Sequence, residues 1–389
     1  MSPSELSFDG RDAPMTTRGR KRRNALASAA LLIAINVGVL VALLVPVELI
    51  FGNWIRPMKL SDLRRFSIPI GVTFESDVSQ LYTGGPRNPA RYTRDQYGFR
   101  GTYASLSEID VLTVGGSTTD QRFLDDDATW QAVTQRELQK AGRPLVVANA
   151  GVDGQSTVGA AFNFQNWFPL LEGLRPSVYL FYMGTNDVLR RQDRLSFDES
   201  VDARSWRVRS VTYQLYRTIR GNMQAHNASV THGRRPELTA ADFTDKGLLA
   251  PQDLQELAAQ ITRDFLANAD RLRQSAVTAG GLPVFVTQTA FAWNADHAPP
   301  RGVSGTIVAH GRTMNFADIA VIHQSLNRGL MDFCAQRRLT CFDLANDVVF
   351  DGDDYYDYLH NTPRGAEKIG RYLADKLSAL ELPAAPATR

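Results

Sequence analysis

Cysteine is nearly missing from this chain of 389 residues: Cys334 and Cys341 are the whole supply. That excludes a scaffold built on disulfides and a sulfur-rich metal centre. The two flank a helix-to-strand turn, FCAQRRLTCF, and two readings stay open there, a short loop closed in an oxidising compartment or a pair of buried thiols. Net charge is nearly missing too. Lysine and arginine number 43 against 41 aspartates and glutamates, so no global field draws the chain to nucleic acid, and no nucleic-acid partner is expected. Internal repeats and long low-complexity segments are lacking, and the tail LPAAPATR reads as loose. The hydrophobic share of 43% is that of an ordinary globular protein, yet long apolar runs are confined to one place.

That place is the N-terminus. Residues 18–23 read RGRKRR, and Ala25 to Val47 then carry no charge, with only Ser28, Asn36 and Pro46 breaking the apolar character before Glu48. As a helix this run is roughly 35 Å long, enough to cross a hydrocarbon core of about 30 Å. A cleaved signal peptide would show a shorter apolar stretch and a small-residue cleavage site, and a buried soluble helix would not carry the basic cluster. The positive-inside rule then divides the chain. Residues 1–24 are expected to be a cytoplasmic basic tail, 25–51 a transmembrane helix in the lipid bilayer, 52–108 a lead-in segment, and 109–382 the main domain. That domain falls outside the membrane, in the periplasm if the cell is Gram-negative.

From Ile109 short apolar runs alternate with helical spacing. Strands are expected at 109–114, 144–150, 177–183, 282–289 and 340–345, with helices at 129–142, 157–171, 251–279, 316–338 and 363–380. Such alternation predicts an α/β fold with a parallel sheet covered on both faces, and chemistry at the carboxyl ends of its strands. An insertion, 190–250, interrupts the pattern. Ten arginines face four acids between 190 and 235, which would suit a cap over an anionic or sugar-rich substrate. The reading favoured for most of it is a solvated helix whose face Val208, Val211, Leu215 and Ile219 packs on the body.

Four strand-end loops carry groups that can do chemistry. After the first strand, VGGSTTD sets Ser117 behind two glycines; after the second, NAGVDGQST offers the Gly154 N–H; after the third, MGTNDV offers the Asn186 amide. After the fifth, DGDDYYDYLHNTPRGAEKIG sets Asp357 three residues before His360. The other histidines, His226, His232, His297, His310 and His323, have no such setting and read as structural. Asp351, Asp353 and Asp354 lack a full calcium-loop pattern and read as a solvated turn, so no metal is expected. Asp187 and Asp343 read as loop braces.

In order and in relation to the strands, these four segments resemble the sequence blocks of the SGNH hydrolase superfamily, the GDSL-like esterases and lipases, over about residues 109–380. The resemblance implies a flavodoxin-like three-layer fold of about five parallel strands. It implies Ser117 as nucleophile, His360 as base and Asp357 as its orienting acid, with the Ser117 and Gly154 N–H groups and the Asn186 amide as an oxyanion hole. One departure stands out: the family usually has aspartate immediately before the serine, and here that position is Gly116. Variants reading GGST resemble envelope-associated members, some of which transfer acetyl groups.

The parts also make sense without the family. A serine hydroxyl needs an imidazole to take its proton, the imidazole needs a carboxylate to fix its tautomer, and ester cleavage needs donors for the oxyanion. No cofactor is implied. The expected activity is cleavage of O-acyl, above all O-acetyl, esters of an envelope carbohydrate or a small ester. The alternatives are O-acyl transfer to polysaccharide through the same triad, or a non-catalytic polysaccharide-binding or export scaffold.

Overall fold

The computed structural model describes residues 17–54, 58–66, 68–189, 206–227, 233–234, 237–294 and 299–382. The expected tail beyond 382, residues 190–205 of the insertion, His232 and His297 lie outside the described residues, as does the side chain of His226. The chain opens with helix α1 (Thr17–Phe51), whose stretch Leu26–Phe51 holds an 18-residue window of mean hydropathy 2.7 with no residue buried against the rest of the protein. That combination of length and exposed apolar surface makes α1 a candidate membrane span.

Strands β1 (Val72–Ser76) and β2 (Ala90–Arg94) then pair antiparallel, Val72 opposite Arg94 and Ser76 opposite Ala90. The chain proceeds through β3 (Val111–Gly115), the short helix α2 (Ser117–Asp120), α3 (Trp130–Lys140), β4 (Val147–Asn149), α4 (Thr157–Asn166), β5 (Val178–Tyr182) and the short α5 (Thr185–Val188). Helices α6 (Trp206–Arg209) and α7 (Val211–Asn227) lie in the insertion. Next come β6 (Phe243–Thr244), α8 (Pro251–Thr278), β7 (Leu282–Val286), β8 (Trp293–Asn294), β9 (Arg301–Val303), β10 (Thr306–Ala309) and β11 (Arg312–Asn315). Helix α9 (Phe316–Arg337), β12 (Thr340–Phe342), α10 (Leu344–Asp347) and α11 (Pro363–Ser378) complete the fold.

Five of these strands form one parallel sheet in the order β12-β7-β5-β3-β4. This is the three-layer α/β architecture expected from the alternation. Its central strands β3 and β5 are buried at every position, because both faces are covered. On β5, Val178, Leu180 and Tyr182 face a layer containing Trp130 of α3 and Ile369 of α11, while Tyr179 and Phe181 face Phe162 of α4, Phe265 of α8 and Leu326 of α9. At the β4 edge the lead-in supplies a partner: Arg100 and Asn149 exchange backbone hydrogen bonds of 3.0 and 2.8 Å. The edge strand is thereby kept from pairing elsewhere.

One reading left open by the sequence is resolved here, and two expectations change. The cysteines are joined in a disulfide, Cys334 at the end of α9 to Cys341 in β12 with Cα atoms 6.2 Å apart. The small antiparallel strands β6 and β8 to β11 were not expected, since runs of two to four residues carry no readable alternation. The insertion helix does not bury the expected face: Leu215 and Ile219 are more than half exposed and Val211 is only half-buried, while Ser210, just before the helix, and Gln214 are buried. The side chain of Val208 lies outside the described residues.

His323 on α9 is fully enclosed, its ring edge-on to Trp293 at 5.4 Å, and its Nε2 has no hydrogen-bond partner. Burial pulls its pKa from 6.5 to about 4. A folded-state pKa below the unfolded one gives stability that is present above pH 6.5 and is lost as pH falls towards 4. The group should thus cost about 3 kcal/mol of unfolding free energy over that window. Thermal unfolding of His323→Leu against the wild type checks this. The stability difference between the two should swing in favour of the variant on acidification, and a difference constant with pH would refute the account.

Candidate active site

Because all five sheet strands run the same way, the loops that follow them emerge along one edge. The strand order reverses direction between β3 and β5, which opens a crevice there. Ser117 begins the short helix directly after β3, and Asn186 lies in the short helix directly after β5. As the first residue of its helix, Ser117 has a backbone N–H with no acceptor inside that helix.

The loop after β12 supplies the rest. His360 Nε2 lies 2.7 Å from Ser117 Oγ, and His360 Nδ1 lies 2.7 Å from Asp357 Oδ2. A carboxylate only accepts, so Nδ1 carries the hydrogen and donates it, leaving Nε2 to accept from the serine hydroxyl. Asp357 Oδ1 accepts from the N–H groups of Leu359 (2.8 Å) and His360 (2.7 Å), which explains the three-residue offset: the carboxylate caps the turn that carries its own partner. The Tyr356 ring stacks on the imidazole at 5.7 Å, and the His360 side chain is only 12% exposed. Burial pulls the His360 pKa down, but Asp357 outweighs it, helped by Asp153 and Asp120, and the net shift is upward from 6.5.

Of the other two predicted donors, the Asn186 amide lies against the turn that holds Gly154. Asn186 Nδ2 donates to the Gln155 carbonyl at 2.8 Å, using one of its two N–H groups. Gly154, next to Gln155, adopts φ +76°, a left-handed conformation that favours glycine. A reciprocal amide pair between Gln155 and Asn163 (2.8 and 3.2 Å) holds that turn.

With this geometry in hand, comparison with known proteins gives a direct answer. The family described as GDSL-like lipase/acylhydrolase matches residues 111–373, more than half of the chain. The chain belongs to this family. It is therefore an enzyme acting on ester bonds. No curated protein matches the chain. Solved structures with a similar chain course include an aryl esterase from M. smegmatis (13% identical, covering 70% of this chain and 99% of that one, TM-score 0.39). A carbohydrate acetylesterase from Sinorhizobium meliloti (12%, 70% and 99%, TM-score 0.38) is another. A third is a member of the lipolytic G-D-S-L family from Veillonella parvula (13%, 70% and 100%, TM-score 0.38).

The departure from the family's usual aspartate has a steric reason. A Cβ at Gly116 would stand 2.4 Å from Asn186 Nδ2 and 2.6 Å from the Gln155 carbonyl oxygen. The residue before the serine is pressed against the turn after β4 and the loop after β5, so this GDSL-like enzyme has no room for a side chain there.

Other assignments sort themselves by contact. Asp187 accepts from the Thr157 N–H (3.2 Å) and hydroxyl, and Asp343 accepts from Thr287 Oγ1 (2.8 Å) and Asn346 Nδ2 (2.7 Å), so both brace loops. His310 Nε2 donates to the Asp187 and Val188 carbonyls at 3.1 and 3.0 Å, steadying the end of α5. The acids at 351–354 are not simply a solvated turn. Asp354 is fully buried and pairs with Lys368 at 2.6 Å, while Asp351 caps the turn and pairs with Arg364 at 2.6 Å. Cations from α11 already occupy these carboxylates, and no cluster suited to a metal occurs among the described residues.

Sequence reasoning missed two positioning side chains. Gln288, after β7, accepts from the Thr185 N–H (2.7 Å) and donates to Thr118 Oγ1 (2.9 Å) and the Tyr182 carbonyl (3.2 Å), so one buried amide ties three strand-end loops. Arg94, at the end of β2, donates to Asp120 and the Gly151 carbonyl beneath the nucleophile helix. Neither has a sequence signal beyond standing at a strand end.

Gly116→Ala should displace Asn186 or the Gln155 backbone. Ester turnover should fall about a hundredfold, with a stability loss of about 1–3 kcal/mol. Turnover of a nitrophenyl ester beside a denaturant melt reads both, and unchanged turnover would mean that the contact at Gly116 is irrelevant to the reaction.

Proposed function

We propose that the chain cleaves O-acetyl esters of an envelope carbohydrate through an acyl-serine intermediate. Ser117 serves as nucleophile, His360 as base and Asp357 as the group that orients it. The observation that carries this reading is the unbroken row of hydrogen bonds, 2.7 Å from serine to imidazole and 2.7 Å from imidazole to carboxylate.

In the first half-reaction His360 Nε2 takes the Ser117 proton as Oγ bonds to the ester carbonyl carbon. Negative charge gathers on the former carbonyl oxygen, where the Ser117 N–H, the Gly154 N–H and the free N–H of the Asn186 amide would receive it. Collapse breaks the bond to the sugar oxygen, which leaves with the proton from His360. Water, activated by the same imidazole, then releases acetate and restores the serine.

The carbohydrate reading draws on a cleft that the loop carrying the base helps to form, although no triad residue lines it. A cavity of about 370 Å³ is lined by Phe243, Phe291, Phe350 and Tyr355 together with Asn346 and Asp351, and Tyr355 belongs to the loop that carries Asp357 and His360. Aromatic faces beside the Asn346 amide suit a sugar ring, which offers C–H edges and hydroxyls at once. We place residues 25–51 as a single membrane crossing with the N-terminal basic cluster in the cytoplasm, which sets residues 109–382 as an extracytoplasmic catalytic domain, periplasmic in a Gram-negative cell.

Ser117→Ala should abolish nitrophenol release from nitrophenyl acetate and labelling by a fluorophosphonate, with folding intact; residual turnover at the wild-type rate would exclude a serine intermediate. Phe350→Ala should raise KM for an acetylated oligosaccharide about tenfold while leaving turnover of nitrophenyl acetate unchanged. Equal effects on both substrates would remove the sugar reading of the cleft. Acetate released from the oligosaccharide marks hydrolysis, and acetyl moved to an added glycan marks transfer.

The pH dependence follows from the raised pKa of His360. Activity needs the neutral imidazole, so kcat/KM should fall on acidification with a midpoint above 6.5. The imidazolium–Asp357 pair has the opposite linkage to stability: its contribution is complete below pH 6.5 and is lost as pH rises through the folded-state pKa. A kinetic midpoint below 6.5 would contradict the balance of burial and carboxylate found at this ring.

A further inference from the structure

Exposed apolar side chains are not spread evenly over the chain beyond α1. Past Trp54, ten large apolar or aromatic side chains are exposed among the described residues, and five of them, Trp206, Leu215, Tyr216, Ile219 and Met223, lie on α6 and α7. Leu215, Ile219 and Met223 recur every four residues, so they form one stripe along the helix, and each is between 53% and 62% exposed. A helix laid on a protein core shows the reverse.

The start of this helix is nonetheless fixed. Glu48, at the outer end of α1, accepts from Ser210 Oγ (2.7 Å) and from the N–H groups of Val211 (3.2 Å) and Thr212 (2.9 Å). Its carboxylate thus satisfies the first donors of α7, which no intrahelical carbonyl can reach. Trp54 Nε1 donates to the same carboxylate at 2.8 Å, and the Asn53 N–H donates to the Arg209 carbonyl at 2.9 Å. Helix α7 therefore begins where the apolar run of α1 ends.

The residues gathered at that junction have a common chemistry. Trp206 and Tyr213 have ring centres 5.1 Å apart, Tyr213 and Tyr216 6.4 Å, and Trp54 stands at the same junction. Tryptophan and tyrosine collect at the boundary of a bilayer, where an apolar ring and a polar tip are both accommodated. Arg220, four residues from Tyr216 and 3.5 Å from its hydroxyl, adds an exposed cation suited to anionic headgroups.

We propose that α7 is an interfacial helix. Its Leu215, Ile219 and Met223 stripe enters the outer leaflet of an anionic bilayer at the boundary between headgroups and acyl chains. The proposal rests on α1 spanning that bilayer. Continuity selects lipid as the occupant, since a membrane that covers the exposed side chains of α1 up to Phe51 ends at the level where α7 starts. With α1 it gives the enzyme two attachments, which would limit rotation about the tether and hold the crevice between β3 and β5 at a set attitude to the surface.

The test uses the full chain in vesicles of phosphatidylcholine and phosphatidylglycerol. The two native cysteines are joined, so a single introduced cysteine can carry a bimane label, placed by Ile219→Cys, by Val39→Cys within α1, or by Val277→Cys on the outer face of α8. Ester turnover verifies that each labelled protein is folded. Lipid-borne nitroxides should quench the label at 219 at least about twofold, more strongly from near the headgroup than from the bilayer centre. The label at 39 should show the opposite depth preference, and the label at 277 should not respond.

No quenching at 219 beside deep quenching at 39 overturns the docking and leaves the anchor standing. No quenching at 39 sinks the anchor itself, and the docking with it. A label at 219 that is already shielded in detergent and ignores the nitroxides means that the stripe meets protein, a second copy included, and overturns the proposal as well. Met223→Cys repeats the measurement one turn on, and quenching at neither stripe position is decisive against it.

Discussion

A hydroxyl and an imidazole separated by 243 residues in the chain must meet at 2.7 Å, and this distance governs everything around the site. Proton transfer in the acyl step tolerates little misplacement, and an error near 1 Å can cost about a hundredfold in rate. The parallel sheet does the coarse part of the work, because strands that share a direction deliver their loops to one edge. Gln288 does the finer part. Its carboxamide accepts from the loop after β5 and donates towards the loop after β3, so the two sides of the crevice cannot drift apart without stranding buried polar groups.

The same constraint explains why the segment before the first parallel strand cannot be treated as a passive leader. Arg94 is enclosed, and a buried guanidinium costs several kcal/mol unless its donors are met. All five are. Nε donates to Tyr92 Oη, Nη1 to the Gly98 and Asn149 carbonyls, and Nη2 to Asp120 and the Gly151 carbonyl. Asp120 ends the helix that Ser117 begins, and Gly151 starts the turn that holds Gly154, so one lead-in side chain locks two walls of the crevice from below. Arg100 adds to this by donating to the carbonyls of Asp120, Gln121 and Leu124.

The sequence disclosed the features that rest on periodicity or local order. Apolar runs and amphipathic spacing placed the five parallel strands and five long helices within a few residues, because a sheet covered on both faces demands continuous apolar strands. Asp357 and His360 were legible as a pair because the carboxylate caps its own turn, a local act that leaves a fixed offset. What escaped is non-local. Gln288 and Arg94 act through partners up to 170 residues away, and no spacing announces them. The α7 face was misjudged for a related reason: helical periodicity reveals that a stripe exists, not which medium it faces.

Two enclosed histidines in the same fold show what the carboxylate contributes. His323 is fully buried and His360 largely so, and burial pulls both pKa values down. His323 has Trp293 beside it and no carboxylate cause for its shift, and its pKa sinks to about 4, a ring too weakly basic to take a proton from an alcohol at neutral pH. His360 has Asp357 at 2.7 Å, with Asp153 and Asp120 acting from further off, and its pKa rises instead. Burial alone would have made an inert ring. The acid three residues away reverses the sign of that effect, and it does so from a turn that also sets the direction of Nε2 towards the serine.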